Sequence, residues 1–235
     1  MDLYRKILFL LIGLLITNNA IAGIGLSQAI VEFSDPRTQR HDIWIVNDGP
    51  ERAYVAIEPA EIINPGLSDE TRVTEPDPEK RGLLVSPTRV ILEPNQRRMV
   101  RLVVIGNRET ERIYRIKIHP VAAPAEVDTK QKTRKKSGIG IKVLTGYDAL
   151  VIVRPMKPVA KVTARRQGSG LVFKNTGNTN ALLFNGTQCN ASGQDCKNLP
   201  AMRLYAGARN TISTPYQTPV SYDVLVGEDR NRQKF

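Results

Sequence analysis

The chain has 235 residues, long enough for two domains of ordinary size, and carries 34 Lys and Arg against 23 Asp and Glu, a net charge of +11. A pI of about 9.8 would suggest nucleic acid for a cytosolic protein. No GxSxG, HExxH, phosphate-cradling loop or Gly-rich dinucleotide turn occurs, so an enzyme, a cofactor and a metal centre are not expected.

Residues 1–22 read as a secretory signal peptide. Arg5 and Lys6 precede the apolar run Ile7–Ile16, and Ala20-Ile21-Ala22 closes the segment before Gly23. That run falls short of the roughly 20 apolar residues of a spanning helix, and no later stretch replaces it, so stable membrane insertion is not expected. Export sets nucleic acid aside as a partner. The positive charge then favours an acidic polypeptide, a terminal carboxylate or a membrane surface, and solubility alone is the plain alternative.

From Gly25 the chain reads as short strands separated by turns, with no sustained helical period. Strands are predicted over Leu26–Phe33, Ile43–Val46, Ala53–Ala60, Leu83–Val85, Arg89–Leu92, Met99–Ile105 and Arg112–His119, a spacing that describes a sandwich. The lone Trp44 is expected to pack in a core. His41 and His119 are each expected to be structural or exposed, because neither has a catalytic or metal partner nearby in sequence.

Residues 124–137 form a basic loop with Lys130, Lys132, Arg134, Lys135 and Lys136, read either as a solvated connection or as a contact for an acidic partner or membrane. Ile139, Ile141 and Val143 follow, alternating with Gly138, Gly140 and Lys142, and then comes Ala149–Val153. A half-apolar strand after a long loop either lies in its own sandwich or pairs with another chain at a sheet edge.

Arg154-Pro155-Met156-Lys157-Pro158 reads as a short hinge, since two close prolines prevent regular pairing. A second sandwich is predicted from Val159–Ala164, Leu171–Asn175, Ala181–Gln188, Met202–Tyr205, Asn210–Ser213 and Ser221–Val226. Cys189 and Cys196, the two cysteines of the chain, are expected to form a disulfide; their spacing matches no zinc pattern. The sequons at Asn185 and Asn190 carry no weight, since such triplets arise often by chance. The expected architecture is all-β: two immunoglobulin-like β-sandwich domains, 23–154 and 155–235, joined by that hinge.

In this order the segments resemble periplasmic pilus-assembly chaperones of the chaperone–usher pathway, closest to the alternate-chaperone branch of colonisation-factor-type fimbriae. The resemblance rests on Glu61-Ile62-Ile63-Asn64-Pro65-Gly66, Gly82–Leu92, Met99-Val100-Arg101-Leu102, Glu111–Ile116 and Val153-Arg154-Pro155, with Asn175-Thr176-Gly177-Asn178 as a fainter echo. It implies a periplasmic chaperone that lends a strand to pilus subunits and delivers them to an outer-membrane usher. Ile139, Ile141, Val143 and Thr145 would be the subunit-binding donor residues. Self-association of the unliganded protein is a further expectation.

Better-known members anchor the subunit's terminal carboxylate with two bases, and alignment on Phe33 and Val153-Arg154-Pro155 puts Ile30 and Leu150 at about those positions. Arg115 and Lys142, then Arg89 and Arg101, are the replacement candidates. A secreted structural or adhesive surface protein is the alternative reading. A carbohydrate-binding module is a third, disfavoured by the scarcity of exposed aromatics.

Overall fold

In the computed structural model, residues 23–123 and 144–235 are described. The first sandwich opposes two sheets. One is ordered β1 (Gly25–Leu26), β3 (Arg40–Val46), β8 (Arg97–Val104) and β6 (Leu83–Ser86). The other is ordered β2 (Ile30–Phe33), β10 (Tyr147–Val153), β9 (Arg112–Val121), β4 (Ala53–Ile63) and β5 (Thr71–Val73), with β7 (Arg89–Leu92) also on β4.

Period-two alternation drives this packing. Ile43 and Ile45 of β3, Val100 and Leu102 of β8, Tyr114, Ile116 and Ile118 of β9, and Ala149, Val151 and Val153 of β10 meet in one dry core. Each aliphatic side chain buried there contributes about 1.5–3 kcal/mol.

The predicted strand Leu26–Phe33 proves to be two. Gly25 and Leu26 pair antiparallel with β3, and Ile30–Phe33 pairs parallel with β10 in the opposite sheet. Ser27 holds the crossing point, where its amide donates to the Trp44 carbonyl and its hydroxyl accepts from the Trp44 amide, both at 2.9 Å. β4 outlasts its predicted end at Ala60. Pro59 falls between the segment that pairs with β7 and the segment that pairs with β5, so its missing N–H costs no bond on that side.

Trp44 corrects a second expectation: it is 40% exposed, and the Arg97 guanidinium lies 4.8 Å from its ring centre. Its neighbours Ile43 and Ile45 take the core positions, and strand alternation turns Trp44 outward. A helical turn, α1 (Pro78–Arg81), is capped by Asp77 and ended by Gly82 at φ 74°, a left-handed conformation that glycine adopts without strain.

The second sandwich opposes β11 (Val162–Gln167), β12 (Gly170–Asn175) and β16 (Arg209–Ser213) to a sheet ordered β14 (Cys196–Leu199), β13 (Ala181–Cys189), β17 (Val220–Val226) and β18 (Asp229–Lys234). β15 (Met202–Leu204) also pairs with β13. Phe173, Leu183, Leu204, Val220 and Tyr222 centre its core. Burial pushes the Tyr222 phenol up to about 12.

The Cys189–Cys196 disulfide is present, and its two residues are directly opposite in the β13·β14 ladder. Replacing both cysteines with serine is expected to lower stability by about 2–3 kcal/mol, the entropy of closing a short loop. Urea denaturation of the oxidised protein and the double variant measures it. Among the described residues no helix is long and apolar enough to cross a membrane.

Candidate functional site

β10 is gripped on both sides, by β2 in parallel and by β9 antiparallel. Its odd residues Tyr147, Ala149, Val151 and Val153 face the first core, and its even residues Asp148, Leu150 and Ile152 face outward. The Tyr147 hydroxyl donates to the Ile24 carbonyl at 2.9 Å and fastens the start of the strand. Half-buried Thr145 lies two residues upstream, in the same odd alternation. Ile139, Ile141, Val143 and Lys142 lie outside the described residues, as does the basic loop.

The outward face of this sheet forms one wall of the space between the sandwiches. Ile62, Ile113, Leu150 and Ile152 make a small apolar cluster there, and Tyr205 of the second sandwich packs against it. Burial pushes the Tyr205 phenol up, while nearby Arg203 and Arg115 pull the other way.

The ladder registers align Ile30, Leu150 and Arg115 in one row across β2, β10 and β9. Arg115 therefore stands beside the two positions where the resemblance places bases. Its guanidinium donates to the Asp148 carbonyl at 3.1 Å, while the Asp148 carboxylate is held by Arg72. Ile30 is 53% exposed, which gives this row an open apolar end.

The remaining candidates are scattered. Exposed Arg89 shares its row with Ala56 and His119, nearer the start of β4 than Arg115. Arg101 belongs to the opposite sheet, where it pairs with Asp42 at 3.1 Å. Arg40 and Arg101 together hold the Asp42 carboxyl down at about 2. His41 sits beside Gln28 and His119 near Glu58, on different sheets, so they share no site.

Sequence reasoning missed the polar group that joins the sandwiches. Arg154, only 1% exposed, directs Nη2 to Glu32 at 2.9 Å and Nη1 to the Thr179 hydroxyl at 2.7 Å and the Asn180 carbonyl at 3.0 Å. The Glu111 carboxylate lies 3.7 Å from the same guanidinium and accepts from the amide and side chain of Asn180. Arg203 bridges Glu32 and Asn180.

Arg108, buried nearby, donates to the carbonyls of Phe33, Asp35 and Arg154, and its own carbonyl accepts from Met156. Burial lowers its pKa. The proline-rich link is thus stitched to the first sandwich. Local sequence gives no signal for this, because the partners come from distant segments.

No protein-family model matches the chain. Among curated proteins it is 25% identical to a fimbrial protein of the CS1 system of Escherichia coli, over 71% of each chain. It is 24% identical to a fimbrial protein of the CFA/I system of the same organism, over 65% of this chain and 63% of that one. Both relatives are named as fimbrial subunits.

Solved structures of chaperone–usher fimbrial chaperones superpose on nearly its whole length. The class 5 fimbriae chaperone CfaA matches with a TM-score of 0.65 at 19% identity, over 90% of this chain and 98% of that one. A chaperone–tip adhesin complex of CFA/I fimbriae biogenesis gives 0.61 at 21% identity, over 86% and 94%. The CsuC–CsuE chaperone–tip adhesion subunit complex from the archaic chaperone–usher Csu pili of Acinetobacter baumannii gives 0.58 at 15% identity, over 91% and 98%. The chain therefore has the two-domain immunoglobulin-like fold of pilus chaperones.

Proposed function

We propose that this protein is a periplasmic, non-enzymatic chaperone that stabilises pilus subunits by donor-strand complementation and hands them to an outer-membrane usher. The observation that carries this reading is the alternation of β10. The residues that fill the chaperone's own core, from Val153 back to Tyr147, continue upstream in the same odd positions as Thr145, Val143, Ile141 and Ile139. One strand can then complete its own sandwich with one half and a partner's with the other. Backbone pairing supplies affinity and the alternate side chains supply specificity.

Each donor isoleucine or valine that enters a subunit groove gains about 1.5–3 kcal/mol, before the cost of ordering the segment and of association. Arg115 is the first candidate for the subunit's terminal carboxylate, since an arginine fork binds a carboxylate through two hydrogen bonds. In this reading residues 1–22 are a removed leader, and the sandwiches span 23–154 and 155–235.

The names of the two curated relatives favour a structural role in the fimbria as the second reading. A pilin has no evident use for a second sandwich, whereas the solved chaperones share both. Co-purification from periplasm with pilins of the same gene cluster separates the readings. Stoichiometric pilin is expected with the wild-type protein, and its loss with a normally folded Ile141→Asp variant. Wild-type protein that is folded yet retains no pilin would overturn the proposal and favour the surface role.

A further inference from the structure

The outer face of β11, β12 and β16 carries charge that folding does not need. Alternation sends Leu171, Phe173 and Ile212 into the second core. It turns Arg165, Lys174 and Arg209 outward around a groove of about 500 Å³, with Val172 on its floor. The ladder sets Lys174 directly opposite Arg209, and Arg165 opposite Val172.

Like charges directly opposite each other destabilise a sheet. Several other basic groups of this sandwich are matched: Arg230 and Arg232 share Asp223, and Lys197 pairs with Asp195. Among the described residues none of Arg165, Lys174 and Arg209 forms an ion pair, and no carboxylate lines the groove. Arg166 differs from them, because its guanidinium is held by the Thr214 hydroxyl and the Thr218 carbonyl.

We propose that this groove docks an extended acidic segment of a partner protein. An extended strand repeats its side chains on one face every ~6.6–7 Å, which fits the diagonal of ~7–8 Å between positions such as Arg165 and Lys174. Carboxylates at alternate residues of such a segment meet Arg165 and the Lys174–Arg209 pair together. A lipid surface fits less well, since the lining offers no aromatic or long aliphatic side chain to enter it. The inference does not depend on the donor-strand reading.

The test titrates the mature protein, at low and at physiological ionic strength, with labelled decapeptides of equal composition, one alternating Glu and Thr and one with the Glu residues in a block. Two variants remove the same charge: Arg165→Gln/Lys174→Gln/Arg209→Gln in the groove, and Lys130→Gln/Lys132→Gln/Lys135→Gln in the basic loop. Circular dichroism confirms that both stay folded.

The alternating peptide is expected to bind more tightly than the block peptide, in a salt-sensitive way. The groove variant should lose about tenfold or more in affinity, and the loop variant less than about threefold. Equal losses in the two variants, no peptide binding, or groove-dependent binding of phosphatidylglycerol vesicles without peptide binding would each overturn the proposal.

Discussion

Arg154→Met is expected to destabilise the protein by about 3–5 kcal/mol, the cost of breaking a buried ion pair by removing one partner. The methionine fills much of the same space, so the loss is one of charge. Glu111, whose side chain is 4% exposed, keeps its hydrogen bonds from Asn180 but loses the cation beside it. Glu32 is left with Arg203, at 3.4 Å.

Because Arg154 joins elements of both sandwiches, the variant should also uncouple them. Trp44, the single tryptophan, reports the first sandwich by fluorescence, while far-ultraviolet circular dichroism reports both. The two urea curves are expected to coincide for the wild type and to separate in the variant. Coincident curves with a midpoint near the wild-type value would show that the group is not what couples the domains.

A second large effect is expected from the smallest change. Gly177→Ala should cost about 3 kcal/mol, at the upper end of the overpacking range, because the obstruction is backbone and cannot swing aside. A Cβ there would lie 2.0 Å from the Val159 carbonyl oxygen and 2.7 Å from the Lys161 nitrogen.

The turn around Gly177 holds the link at several points. Asn175 Oδ1 accepts from the Lys161 amide at 3.0 Å, Asn178 Oδ1 accepts from the Val159 amide at 2.7 Å, and the Asn178 amide donates to the Val159 carbonyl at 2.8 Å. The alanine variant must give up part of this set. Hydrogen exchange should report faster exchange at the Val159 and Lys161 amides, with the core of the second sandwich still protected. Unchanged exchange at these two amides would show that the turn absorbs the methyl group some other way.

That turn also explains a limit of sequence reasoning. Asn175-Thr176-Gly177-Asn178 is legible as a β connection, but its hold on the link is not, so the first strand of the second sandwich is expected at Val159 and begins at Val162. Strands with one clean apolar face, such as the core of β3 and the whole of β12, are readable because burial follows a period of two. β18 is not, since Asp229–Lys234 is polar throughout and gains its place from the β17 ladder. The split of the first strand between two sheets depends on partners far along the chain, which local alternation cannot encode.

The site divides in the same way. Arg115 stands out through a motif, and the ladder sets it beside Leu150. The environment of Arg154 is illegible in the sequence, because a buried cation is recognisable only once its anions are in place.

The parallel pairing of β2 with β10 imposes an order on synthesis. Glu32 and Arg154 are 122 residues apart, so the strand that completes the first sandwich is also the last of its parts to leave the ribosome or a translocation pore. Until then β2 lacks its ladder partner and β9 exposes an edge, a state open to wrong pairings. Even after β10 arrives, Arg154 waits for Thr179 and Asn180 before its charge is satisfied. Folding of the N-terminal sandwich is therefore committed by its own end, and it closes only as the second sandwich begins to emerge.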